Sequence, residues 1–188
     1  MSATTLTPEQ ANPWEVTART IVYSAIGAAL YAVAAQFSFI MPGTSSVSLR
    51  PAFALVTFFG FAFGPIPGFF TGLVGNAIAD QLSGWGLLTS WNWSIANGVV
   101  GFLTGLLAIW LARSIPNRAV LAGVASVVAI VIGFVIVLSD VWLGTAENFG
   151  AAFTTGYFPA VWTDALVAVI LTPILVLAWD PIRDAMGR

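Results

Sequence analysis

The sequence predicts an all-α polytopic membrane protein, one domain of six transmembrane helices, and three observations carry that reading. Of 188 residues, 59% are hydrophobic and only 7% are charged, a balance far more apolar than that of a soluble domain. Several uncharged stretches approach the roughly 20 residues that a helix needs to cross a bilayer. Glycine and proline clusters fall between those stretches, where turns are needed. Nearly the whole chain, 1–188, is expected in lipid as a single transmembrane domain, which leaves no room for a soluble one.

Residues 1–16 are polar and contain Glu9 and Glu15. They lack the basic start and short apolar run of a signal peptide and read as a cytoplasmic tail. The spans follow at about 17–39, 51–63, 67–82, 94–112, 119–143 and 158–178. The second is short: its thirteen residues cover about 20 Å of a core about 30 Å thick, so neighbours must cover it or it must extend upstream. A five-span alternative reads 51–80 as one kinked helix. That helix would be about 45 Å long, and Gly64-Pro65-Ile66-Pro67 disfavours helical geometry before each proline, so GPIP is expected to form a tight turn.

With six spans and both ends inside, Arg19, Arg113, Arg118, Arg183 and Arg188 are cytoplasmic, while Arg50, Asp80, Asp140 and Glu147 lie outside. That satisfies the positive-inside rule; the expected location is the plasma membrane of a prokaryote. Trp85, Trp91, Trp93, Trp142 and Trp162 gather towards the outer surface, more than an interfacial belt requires.

All six basic residues are arginine, and cysteine, histidine and lysine are absent. Disulfides, Cys/His metal sites, histidine base catalysis and a lysine-dependent phosphate loop are thereby excluded. No metal, cofactor or nucleic-acid partner is expected, and any energy from ATP must come through another protein.

Small residues dominate several helix faces. Gly68, Gly72, Asn76 and Asp80 recur at i+4 spacing on span 3, and Asn97, Gly101 and Gly105 repeat the pattern on span 4. Such glycines read as close-packing seams. The polar members are either helix-to-helix glue or cavity wall, because a carboxylate at Asp80 depth costs about 2.5 to 3.5 kcal/mol unless it meets water, a partner or a ligand. Asp164 poses the same choice in span 6. Arg50 is an anchor, a partner for Asp80, or a clamp on an acidic substrate group. Two small-residue registers on span 1, Ala25/Ala29 and Ala28/Ala32, could face the bundle or another protein.

The chain resembles the substrate-binding S component of energy-coupling factor (ECF) vitamin transporters. The stretch GFAFGPIPGFFTGLVGNAIAD is similar to that family's second-to-third-helix hairpin, and IANGVVGFLTG to its fourth helix. The resemblance covers most of the chain, although sequence signals in this family are loose. It implies capture of a vitamin-like molecule in an outward cavity built from the first outer loop and the outer parts of helices 4 to 6. It also implies docking through an Ala-x-x-x-Ala register of helix 1 to a coupling membrane protein that carries two ATPases. Trp91, Asn92, Trp93 and Asn97 would then come from helix 4 and its approach, and Tyr157, Trp162 and Asp164 from the last loop and helix 6. Arg50, Asn76 and Asp80 join them as candidates from burial and charge. Such a subunit is not an enzyme. The rival reading is a self-sufficient proton-coupled carrier using Asp80 or Asp164 as relay. A carboxylate-pair enzyme has no motif behind it.

Overall fold

Thr17 starts the first helix by capping it: its hydroxyl accepts from the Thr20 amide and the Thr20 hydroxyl accepts from the Thr17 amide, both at 3.3 Å. This satisfies two of the donors that a helix start leaves unpaired. The structure, a computed structural model, describes residues 14–186; most of the expected cytoplasmic tail, and Arg188, lie outside the described residues.

The chain forms α1 (Ala18–Ala34), a two-stranded hairpin of β1 (Phe39–Ile40) and β2 (Ser48–Leu49), α2 (Phe53–Phe63), α3 (Pro65–Leu82) and α4 (Trp91–Leu111). It continues with α5 (Arg118–Gly133), which tightens into a 3₁₀ segment (Phe134–Val141). The one-turn α6 (Phe149–Ala151) then runs through a π-helical turn (Ala152–Tyr157) into α7 (Phe158–Ala185). The expected all-α class holds, with six long helices. The hairpin pairs Phe39 with Leu49 and Ile40 with Ser48 in antiparallel register.

Three helical segments are long and apolar enough to cross a membrane by themselves: Trp91–Leu111, Arg118–Val141 and Phe149–Ala185. The apolar α1 and α2 are shorter. α2 contacts α1, α3, α4, α5 and α7, and eight of its eleven residues are buried, so neighbouring helices cover what its length of about 16 Å leaves short.

Several expected boundaries move, each for a local reason. α1 stops at Ala34 rather than near 39, and the Gln36 amide beyond it donates to the carbonyls of Ala32 and Ala79 as the chain turns into the hairpin. GPIP is not a four-residue turn. Gly64 alone makes it at φ +105°, a backbone region that favours glycine, and Pro65 and Pro67 sit in the first turn of α3, where a missing amide donor costs nothing. α4 begins at Trp91, three residues earlier than expected. α7 runs past 178 to Ala185, with Arg183 bridging Asp180 across one turn at 3.3 Å.

The glycine faces of α3 and α4 meet. A Cβ on Gly68 would strike the Gly101 carbonyl, one on Gly101 the Gly68 carbonyl, and one on Gly72 the backbone of Asn97. Gly60 of α2 presses on the same Gly101 carbonyl. Backbone-to-backbone approach of this kind needs residues without a side chain. The α1 registers also separate: Ala28 and Ala32 are buried, with Ala28 backbone against the Gly75 position of α3, whereas Ala25 and Ala29 are exposed.

Candidate functional site

The two ends of the bundle differ in how they handle charge. At the end where α5 starts and α7 finishes, Arg118 bonds Asp180 at 3.0 Å, and Arg183 bonds Asp180 and Asp184. At the other end the chain opens into a cavity of about 890 Å³.

Four stretches wall it. The hairpin region supplies Ser45, Ser46, Ser48 and Arg50, and the last turns of α3 supply Asn76, Ala79 and Asp80. The α3–α4 loop and the start of α4 supply Trp85, Ser90, Trp91, Asn92 and Trp93; the segment after α5 supplies Asp140, Leu143 and Thr145. These stretches converge because α3 and α4 are held backbone to backbone below, so that their ends spread only where Asn76 and Ser94 replace glycine.

Asn76 is the hub of one cluster. Its carbonyl oxygen accepts from Arg50 Nη1 at 2.9 Å and from the Tyr31 hydroxyl at 3.4 Å. Its amide donates to Asp80 Oδ2 and Ser94 Oγ, each at 3.1 Å. Arg50 and Asp80 therefore do not pair directly: Asn76 stands between them, and the amide can bond both because it is donor and acceptor at once. Arg50 Nε is buried without a hydrogen-bond partner. Burial disfavours its cation, but Tyr31, Asp164 and Asp80 outweigh that and hold the guanidinium above the ordinary arginine pKa.

Asp140 is the hub of a second cluster. Oδ1 accepts from Asn92 at 2.8 Å and Oδ2 from the Trp93 indole at 3.0 Å. Its carbonyl accepts the amides of Thr145 and Ala146 and the Thr145 hydroxyl. These bonds tie the 3₁₀ segment to α4. A third tie crosses the molecule: the Ser45 amide donates to the Thr155 carbonyl at 2.8 Å, and their hydroxyls lie 2.7 Å apart. That contact pins the hairpin loop to the π-helical turn.

The family described as ECF-type riboflavin transporter, S component, matches residues 15–180. The chain belongs to that family. It is also similar to a UPF0397 protein of Aliivibrio salmonicida (strain LFI1238), 37% identical over 100 residues, 53% of this chain and 54% of that protein. UPF0397 proteins of Aliivibrio fischeri strains MJ11 and ES114 are each 37% identical over 94 residues, half of either chain. The chain thus spans about half the length of the curated relatives it matches. No solved structure matches it.

In this S component, six of the ten site residues expected from sequence, Arg50, Asn76, Asp80, Trp91, Asn92 and Trp93, stand on the cavity wall. Four do not. Asn97 is fully buried one turn below, its amide donating to the Trp93 carbonyl at 2.7 Å, because its helix face is the one closed against Gly72. The Tyr157 hydroxyl is engaged by the Val131 carbonyl at 2.9 Å, and its ring stacks on Phe153. Trp162 is 61% exposed on the outside of the bundle, on a face of α7 that also carries the exposed Leu166, Val169 and Ile170. Asp164 is 1% exposed and absent from the wall, although the charge of Arg50 reaches it. The last loop and α7 therefore contribute none of the wall residues that the resemblance implied.

The sequence reading passed over Asp140, Trp85 and the hairpin serines. Asp140 and Trp85 belong to the outer acid and tryptophan groups, so their depth along the chain was visible. Their direction was not, since it depends on the 3₁₀ tightening and the loop path. Among the described residues no group of three or more His, Cys, Asp or Glu side chains could hold a metal ion.

Proposed function

We propose that this S component captures a small, ring-containing micronutrient in the cavity end, held facing outwards in the plasma membrane of a prokaryote with both termini in the cytoplasm. The observation behind this is the cavity itself. About 890 Å³ lies within the usual range for small-molecule sites, which combine apolar walls with a few placed polar groups. Here Trp91 and Trp93 offer ring faces for stacking, and Arg50, Asn76, Asp80 and Asn92 offer donors and acceptors. The chain binds and releases its ligand and performs no chemistry on it. The name of the family makes riboflavin the first ligand to test. Titration into the purified protein is expected to quench tryptophan fluorescence, with Trp91→Ala and Trp93→Ala weakening binding. Unchanged affinity in both variants would remove the indoles from the site.

Delivery requires an ECF coupling membrane protein with two ATPases, which docks on α1. The exposed Ala25 and Ala29 support this, and Ala25, with the small Ser24 and Ala28, borders an apolar groove of about 410 Å³ between α1 and α3 that Ile66, Phe70 and Val74 complete. Ala25→Trp with Ala29→Trp is expected to abolish uptake and leave ligand binding intact. Loss of binding as well would mean that this face is needed for the fold.

One observation favours the rival reading, a proton-coupled carrier working alone: Asp164 is buried and its Oδ1 has no hydrogen-bond partner. A buried ionisable group inside a membrane bundle is a natural relay. Uptake by the isolated chain in vesicles, collapsing with the proton gradient and lost in Asp164→Asn, would establish that reading in place of the first.

A further inference from the structure

The cavity carries more acid than base, and neither of its acids is in an ion pair among the described residues. Its charged wall residues are Arg50, Asp80 and Asp140. Both oxygens of Asp140 are occupied, but by the Asn92 amide and the Trp93 indole, which are neutral donors. They orient the carboxylate and bring no cation to it. Asp80 likewise accepts from the neutral Asn76 amide through Oδ2.

Arg50 does not redress the balance. Its hydrogen bond goes to Asn76, it forms none of the ion pairs among the described residues, and its field is divided between Asp80 and the buried Asp164. Glu147 follows in the same outer segment. The other described arginines, Arg19, Arg113, Arg118 and Arg183, sit at or beyond the opposite ends of their helices. A cleft of one sign with low-dielectric walls concentrates ligands of the other sign. The indoles of Trp85, Trp91 and Trp93 reinforce this, since an aromatic face attracts a cation placed over it.

We propose that the ligand is an organic cation, a protonated amine or a positively charged nitrogen heterocycle, whose charge lies against Asp80 and the tryptophan faces. Anionic analogues, those bearing a phosphate or carboxylate, are rejected. The inference rests on the capture reading above and narrows its substrate class. It parts from the neutral flavin named for the family.

The test is calorimetric titration of the detergent-purified chain with three probes of different charge: thiamine (cationic), riboflavin (neutral) and flavin mononucleotide (anionic). Thiamine is expected to bind at least about tenfold more tightly than either flavin, and Asp80→Asn to weaken it by about tenfold or more. Raised salt is expected to weaken thiamine binding to the wild-type chain, a readout independent of whether the variant folds. Riboflavin or its phosphate binding as tightly as thiamine, with Asp80→Asn without effect, would overturn the charge selection and leave capture standing. No binding of any probe would overturn both.

Discussion

The two ends of this bundle contain similar side chains and use them differently. At the Arg118 end, Asp180 bonds Arg118 and Arg183, and Asp184 bonds Arg183, so cations and carboxylates meet directly at 2.7–3.3 Å. At the cavity end, Arg50, Asp80, Asp140 and Asp164 are nearby, yet neutral groups stand between them or one partner is missing. Charges that meet no opposite charge around an open space suit a ligand that brings its own polar groups, and this contrast is what supports the proposal that the cavity end binds the ligand.

Gly72→Leu is the severest challenge to this picture, because it forces α3 from the Asn97 backbone and moves both ends together. Loss of folded protein, a change on the order of 4 kcal/mol or more, is expected, read as the yield of monodisperse protein in size-exclusion chromatography. Asp140→Ala leaves the Trp93 indole and the Asn92 amide without their acceptor. About 2 to 4 kcal/mol of stability is expected to go, since bonds to a charged acceptor contribute about 1.5 to 3 kcal/mol each, and thermal unfolding followed by tryptophan fluorescence measures it. Asn76→Leu removes the bridge between Arg50 and Asp80. About 1 to 3 kcal/mol is expected there, with ligand affinity falling as well, while Ser94→Ala serves as the milder control. Asp180→Asn is expected to cost less than about 1 kcal/mol and to leave ligand affinity unchanged, because half-exposed pairs are screened by water and salt. A larger effect on binding from Asp180→Asn than from Asn76→Leu would dissolve the distinction between the two ends.

Much of the fold was legible because it depends on local pattern. The i+4 spacing of Gly68 and Gly72, and of Asn97, Gly101 and Gly105, marked the two faces that do meet. Gly64-Pro65 marked the break between α2 and α3. Asn76 and Asp80 stood out because polar side chains are costly at that depth. Other features were hidden. That α2 is enclosed by five helices, or that Thr57 and Thr172 bond across to one another at 2.6 Å, follows from which helices are neighbours. Asp164 carried the same burial signal as Asp80 and is not on the wall. Burial alone cannot say whether a carboxylate faces the cavity.

By itself the sequence determined that this is a helical membrane protein, where its chain reverses, and which faces are smooth enough to pack. Those properties are set by hydropathy over about 20 residues and by the steric limits of glycine and proline. Only the tertiary structure decided the site. The hairpin loop, the end of α3, the start of α4 and the 3₁₀ segment are spread over about a hundred residues of chain and converge only after the glycine seam has set the spacing of α3 and α4. The same packing decided that Ala28 and Ala32 face inwards and leave Ala25 and Ala29 free. A repeat of small residues records that one helix can approach another, and the choice of helix belongs to the assembled bundle.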